Sequence, residues 1–412
     1  MDPERKSRIQ EALQSGGLTA VVCALPSNVL LLTGYWPVVG ESIAICVCGG
    51  PTVLLVPKDE ADLAEASFAD SIETFLPETL NEMPDVSAVV KPRFADILRK
   101  LKIETGKIGV ESGASSQAAA YLAVHLFGSD LPNMLRELLT ASMLTSIDNW
   151  IQRLKSIKTP LELERIRQSC AIAKNAFELG ARQLRAGMKE PEVAQLFRAS
   201  LSGTEVTGRQ IHRRGGFAFC MSGPNSAKAC AAYARTRERI LKPADLVMIH
   251  CNSYVDGLWT DITRTYTLQP PEELQAKMWS AVFAARKASL AAIAPGVRAS
   301  EVDSVARQVI EDFSLGKYLK HSTGHGVGFS PMSAYSLPRI HAESPDVLRE
   351  GMVFNVEPAV YVDGYGGVRH CDMVAVTSSG HELLTEFQSD VGSLTVTVID
   401  SMRKQSVRSR AV

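Results

Sequence analysis

Long apolar runs are missing from this sequence: none approaches the roughly 18–20 residues that span a bilayer. An excess of charge of one sign is missing too. The 44 Lys and Arg are balanced by 45 Asp and Glu, a formal net charge of -1. No general attraction to nucleic acid or to an anionic membrane is therefore expected. No CxxC pair occurs among the eight cysteines, which removes a zinc-knuckle reading. Neither GxGxxG nor a Walker pattern is present, so the glycines of GHGVG and GYGG read as turn or close-approach glycines and not as a phosphate cradle. The chain opens MDPERKSRIQ, charged and amphipathic, with no apolar core followed by a small-residue cleavage site. A cytoplasmic protein with reduced cysteines is expected. Cys23, Cys46 and Cys48 stand in apolar runs and read as small buried hydrophobes.

What is present fits a globular chain of two domains. Its 412 residues are 45% hydrophobic and 22% charged, enough to build a substantial core. Residues 18–57 alternate apolar runs with turns and read as short strands. Residues 93–101 and 117–126 read as helices and 107–111 as a strand, so the first 150 or so residues read as an α/β domain. Thr159 followed by Pro160 is a helix start, and apolar residues keep helical spacing from there to Gly187. A second long helix is expected over 271–293, with strands at 246–250, 261–267, 352–357 and 368–376. The expected boundaries are 1–152, 153–399 and a basic, disordered tail at 400–412.

Four segments carry the chemistry. WTDITRT holds Asp261, with His250 eleven residues earlier at the end of a hydrophobic strand. HSTGHGVG holds His321 and His325, GMVFNVEP holds Glu357, and GGVRHCD holds Arg369, His370, Cys371 and Asp372. With SGPNSA at 222–227, LLTGYW at 31–36 and the helix entry IKTPLELERI, these segments resemble the aminopeptidase P, prolidase and creatinase family, in the same order over nearly the whole chain. The resemblance implies an α/β (α+β) fold: a small N-terminal α/β creatinase-like domain, then a pita-bread catalytic domain with a curved antiparallel sheet flanked by helices. It implies a homodimer. It also implies two divalent ions (Mn, Co or Zn) held by two Asp, one His and two Glu, with a bridging hydroxide that attacks the amide.

Carried over residue by residue, that pattern is only partly met. Asp261, His325 and Glu357 stand where the second Asp, the His and the first Glu belong. The first Asp is His250 and the second Glu is Cys371. Strand alternation puts Arg369 and Cys371 on one face and His370 on the other, so His370 is no easy stand-in. Cys230 replaces a substrate-contacting His, and Met332 falls where a proton-transfer His stands in the family. No His occurs anywhere from 326 to 340.

A single imidazole cannot bridge two ions, so the usual dinuclear site is not expected. Asp261, His325, Glu357 and Cys371, with His250 beside them, would suit one Zn, Fe or Mn ion. The first reading is thus a hydrolase of an amide or imide C–N bond in a small-molecule or short-peptide substrate. Glu357, His321 and Cys230 would be catalytic, and Arg369 and Met332 would contact substrate. Two alternatives stay open: a metal-free hydrolase using Cys230 or Cys371 with His250 or His325 as base, and a catalytically inactive binding protein.

Overall fold

Alternate residues of the strand β1 (Ala20–Cys23) bury themselves on opposite faces, as the period of an extended chain dictates. Val21 and Cys23 join one apolar cluster with Ile9 and Leu13 of the helix Pro3–Ser15. Ala20 and Val22 join another with Phe94, Ile97 and Leu98 of the helix Val86–Lys100. With β2 (Ile43–Val47), β3 (Thr52–Pro57), β4 (Ser71–Phe75), β5 (Thr105–Val110) and β6 (Ala141–Ser146), β1 forms a mixed sheet of order β4-β3-β2-β1-β5-β6. Cys23 and Cys46 are fully buried and Cys48 lies partly buried against the same cluster. The computed structural model describes residues 2–38, 41–77, 81, 86–112, 131–203, 207–208, 210–230, 235–331 and 336–396. The expected helix at 117–126, Met332 and the basic tail lie outside them. Among the described residues no helix is long and apolar enough to cross a membrane.

The helix Pro160–Ala181 starts where Thr159 caps it. Thr159 Oγ1 accepts the Glu162 N–H at 3.3 Å, and Glu162 returns the bond to the Thr159 N–H at 3.0 Å. Glu162 is also gripped by the buried Arg5 of the first helix, Nε to Oε1 at 2.8 Å and Nη2 to Oε2 at 2.6 Å. This helix ends six residues before Gly187, because the chain turns there to hydrogen-bond Leu241, whose carbonyl accepts the Gly187 N–H.

Lys158, just before this cap, has 5% of its surface exposed. Its ammonium donates to the carbonyls of Lys155 (2.6 Å) and Ser156 (3.3 Å), and burial pushes its pKa down to about 7. The unfolded chain holds that proton up to about pH 10. A group depressed in this way contributes stability that is present above its unfolded pKa and lost as pH falls through its folded one. Lys158 should therefore add to unfolding free energy between about pH 7 and 8.5, by up to about 1.4 kcal/mol per pH unit. His325, whose pKa is raised against burial to about 9 by the neighbouring carboxylates, takes away a similar amount over the same range. Above about pH 8.5 the buried thiols of Cys46 and Cys251, pushed up to about 12, turn the balance downward. Lys158→Met should turn the slope of unfolding free energy between about pH 7 and 8.5 downward relative to the wild type in urea unfolding; an unchanged slope would show that Lys158 does not titrate in this range.

The second half is built on antiparallel strands. β7 (Arg214–Ser222), β8 (Leu246–Val255) and β10 (Ile262–Thr267) pair in the order β10-β8-β7, with β9 (Leu258–Trp259) on β8. β11 (Gly324–His325) pairs with β12 (Arg339–Ile340), and β13 (Val353–Val356) leads into the hairpin of β14 (Ala359–Val362) and β15 (Gly366–Arg369). β16 (Asp372–Val376) pairs with β13 and with β17 (His381–Leu383). The helices Pro160–Ala181, Glu273–Ala291 and Ala299–Asp312 flank these strands.

The strand expected over 368–376 is thus broken at His370 and Cys371. There the chain leaves its partner β14 for β13, and Cys371 bridges Thr263 of β10 instead. That bridge brings β15, β10 and β8 together, with Thr263 opposite His250.

Candidate active site

Residues from β8, β10, β11, β13 and β15 meet at one point because each lies at a strand end or opposite a strand neighbour. Asp261 precedes β10 and Glu357 follows β13. His325 is set close to β13 by its flanking glycines: a Cβ on Gly324 would collide with the Asn355 carbonyl, and one on Gly326 with that of Leu337. His325 Nδ1 donates to the Gly326 carbonyl at 3.1 Å, which turns Nε2 toward the carboxylates. Nε2 lies 3.5 Å from Asp261 Oδ2, 3.9 Å from Glu357 Oε1 and 3.2 Å from the Asn355 amide. Burial alone would lower its pKa, but Asp261 and Glu357 outweigh burial and raise it to about 9. The Asp261 side chain is 1% exposed, whereas His325 and Glu357 are 13% and 12% exposed, so the site opens to solvent at these two.

His250 faces the same carboxylate, with Nδ1 3.6 Å from Asp261 Oδ1, but its lone pair is engaged elsewhere. Arg369 Nη2 donates to it at 3.2 Å, and the Thr263 hydroxyl is 3.1 Å away. Guanidinium can only donate, so Nδ1 carries no proton. Burial, with Arg369 adding to it against Asp261, pushes the ring's pKa down to about 4 and keeps it neutral. Arg369 itself is 4% exposed. Its Nε donates to Thr263 Oγ1 at 3.1 Å and its Nη1 to the Tyr361 hydroxyl at 3.3 Å, while Glu357 Oε2 lies 4.0 Å from Nε. Tyr361 in turn donates to His321 Nε2 at 2.9 Å, since His321 Nδ1 is held by the Ser322 carbonyl at 2.7 Å.

Cys371 is fully buried, and its thiol donates to the Asp261 carbonyl at 3.1 Å, with Asp261 Oδ1 at 3.8 Å. Burial, then Asp261 and Glu357, push the thiol well above its usual range. Reactive cysteines have the opposite surroundings, electropositive and partly exposed. Cys230 lies half-buried against the apolar cluster of Met221, Ala229, Met248, Ala359 and Tyr361, and donates to the Ala227 carbonyl at 3.6 Å. His370 points away from the site, 3.3 Å from Asp372 and against Phe283. Thr263, Tyr361 and Asn355 are parts of the site that motif reading missed. Alternation was the available signal for Thr263, two residues beyond Asp261.

Residues 164–378 match the pattern of metallopeptidase family M24, and residues 5–157 match the creatinase/prolidase N-terminal domain. The chain belongs to metallopeptidase family M24. It is 29% identical over 390 residues to an Xaa-Pro dipeptidase of Pyrococcus furiosus, covering 94% of this chain and 99% of that one. The prolidase structure from Pyrococcus horikoshii OT3 superposes with a TM-score of 0.75 at 26% identity, over 94% of this chain and 99% of the other. The prolidase from Pyrococcus furiosus gives 0.71 at 28%, over 92% and 99%. The M24 chain therefore has the creatinase-like N-terminal domain and pita-bread domain that its motifs implied.

Peptidases of family M24 use divalent metal ions. The family's pair of ions does not fit this donor set. His250 offers its lone pair to Arg369, Cys371 is a thiol donor instead of a bridging carboxylate, and a guanidinium stands beside Glu357. Among the described residues no group of three or more His, Cys, Asp or Glu side chains is arranged to hold an ion.

Proposed function

We propose that this chain hydrolyses an amide or imide C–N bond in a small peptide-like substrate, with Asp261, His325 and Glu357 at the reacting centre. The observation that carries the reading is the convergence at His325, whose Nε2 has a carboxylate at 3.5 Å and another at 3.9 Å on the open side of a buried site. Relatives named Xaa-Pro dipeptidase and prolidase support the reaction class. Glu357, the more exposed carboxylate, takes a proton as water oxygen bonds to the acyl carbon. The C–N bond then breaks, the electron pair leaves with nitrogen, and His325 returns a proton to it, yielding acid and amine. Asp261 holds the imidazole in place. Tyr361 and His321 fix Arg369, and Cys230 lines the approach from the β14 side. We place the enzyme in the cytoplasm as a homodimer, which size-exclusion chromatography with light scattering would test.

Xaa-Pro dipeptides assayed with Mn²⁺ should turn over weakly, because the residues that support the family's second ion are replaced. Robust cleavage would show those replacements to be inconsequential. The reaction class is tested by incubating the full chain with short peptides, N-acyl amino acids and cyclic imides and following acid and amine by mass spectrometry. Hydrolysis of at least one class is expected. If none is cut at enzyme concentrations near those of substrate, the chain is a binding protein.

A further inference from the structure

The two carboxylates that the family pattern has and this chain lacks are replaced by groups that carry no charge in this geometry. His250 accepts a hydrogen bond at Nδ1 from Arg369, and Cys371 donates its thiol hydrogen to the Asp261 carbonyl. What remains is two carboxylates, Asp261 and Glu357, the His325 imidazole between them and one guanidinium. That guanidinium is 4% exposed and is tied to one spot by three side-chain partners, Thr263, Tyr361 and His250. No carboxylate makes a direct hydrogen bond to it among the described residues; the nearest, Glu357, is 4.0 Å away. Buried charges need compensation, and that of Arg369 is shared across the centre instead of being spent on one ion pair.

We propose that Arg369 is the fixed cation of a centre that works without a metal ion, balancing Asp261 and Glu357 as divalent ions do where four carboxylates are present. The inference rests on the placement of the reacting centre given above but not on which C–N bond is cut. Four carboxylates can neutralise two divalent ions with a guanidinium nearby. Two carboxylates already facing a guanidinium leave a divalent ion repelled at short range, in surroundings that water does not screen. The role of Arg369 is positioning: it holds the Glu357 side of the centre positive, where negative charge on an acyl oxygen develops, without reorganising as the reaction proceeds.

The test reads metal and stability, not turnover, so its failure and the failure of the hydrolase reading are distinguishable. The full chain, purified without added metal, should hold far less than about one ion per chain by elemental analysis. Its melting midpoint should move neither with EDTA nor with added Mn²⁺ or Zn²⁺. Arg369→Met, which deletes the charge, should bind Mn²⁺ or Zn²⁺ at least about tenfold more tightly than the wild type and melt higher in their presence. Arg369→Lys, which keeps the charge and loses the fork, should stay as indifferent to ions as the wild type. His250→Asp with Cys371→Glu restores two carboxylates and should also gain ion binding, which keeps the test decisive if the Arg369 variants do not fold. A wild-type chain that retains about one ion or more, and melts lower once it is chelated, overturns the proposal. So does an Arg369→Met protein that folds and still ignores ions, or a folded double variant that does.

Discussion

Asp372→Ala is expected to lower the unfolding free energy by about 3–5 kcal/mol, the range found when one partner of a buried ion pair is removed. Asp372 has no exposed side-chain surface. Its Oδ1 accepts from Arg264 Nη2 at 2.7 Å and from the Thr385 hydroxyl at 2.7 Å, and its Oδ2 accepts from Arg286 Nε. Burial opposes ionisation, but Arg264, with His370 and Arg286, holds the carboxyl well below its usual range. Without it, the fully buried Arg264 and the 12% exposed Arg286 lose their only carboxylate among the described contacts. The replacement does not relieve them, since Ala leaves both guanidinium charges in place. The loss also reaches the site, because Arg264 Nη1 donates to the carbonyls of Thr263 (2.9 Å) and Cys371 (2.7 Å) and so clamps β10 to the break between β15 and β16.

Urea unfolding at neutral pH measures the loss, with Thr385→Val as a comparison expected to cost only about 1 kcal/mol. The sign of the pH dependence is fixed as well. A carboxyl depressed in the folded state contributes stability that is present above its unfolded pKa of about 3.9 and lost as pH falls through the folded value. The gap between wild type and Asp372→Ala should therefore narrow only below about pH 4. A gap of less than about 1 kcal/mol at neutral pH would mean that the network is looser than its distances state.

Local signals in the sequence were read well where a few adjacent residues decide the outcome. Thr159, Pro160 and Glu162 announce a helix start, and the capping box is there. The helix expected over 271–293 is found at Glu273–Ala291. Ends set by distant partners were not legible. The end at Ala181 and the break at His370 depend on Leu241 and on Thr263, which periodicity cannot see. The same division runs through the site. Which residue types occupy the motif positions could be read directly, including the neutral His250 and Cys371. That His250 would turn its lone pair to a guanidinium 119 residues away could not. Nor could the burial of Arg5, an apparent surface residue of a charged first helix, against a glutamate 157 residues on. In each case a long-range polar contact, made by folding, sets the chemical state of a residue whose identity alone is ambiguous.

Glu357→Gln should reduce kcat on the best substrate of the peptide and amide panel by about 10²–10⁴, the usual worth of a positioned general base, while KM changes little. The substitution is nearly isosteric and the side chain reaches solvent, so folding should be preserved and the melting midpoint should confirm it. Asp261→Asn should lose a comparable factor, yet through a different route, since Asp261 touches the imidazole and not the opening. Cys371→Ala and Cys230→Ala separate this scheme from thiol catalysis. Both thiols donate to backbone carbonyls, at 3.1 Å and 3.6 Å, and Cys371 is fully buried. With both sulfurs engaged in this way, each alanine variant should keep activity within about tenfold of the wild type. Should one of them fall as far as Glu357→Gln while still folding, that sulfur is the nucleophile. Glu357 would then act in the second half of the reaction, because an acyl-thioester route needs a base beside the sulfur to form the thioester and one beside the water to hydrolyse it.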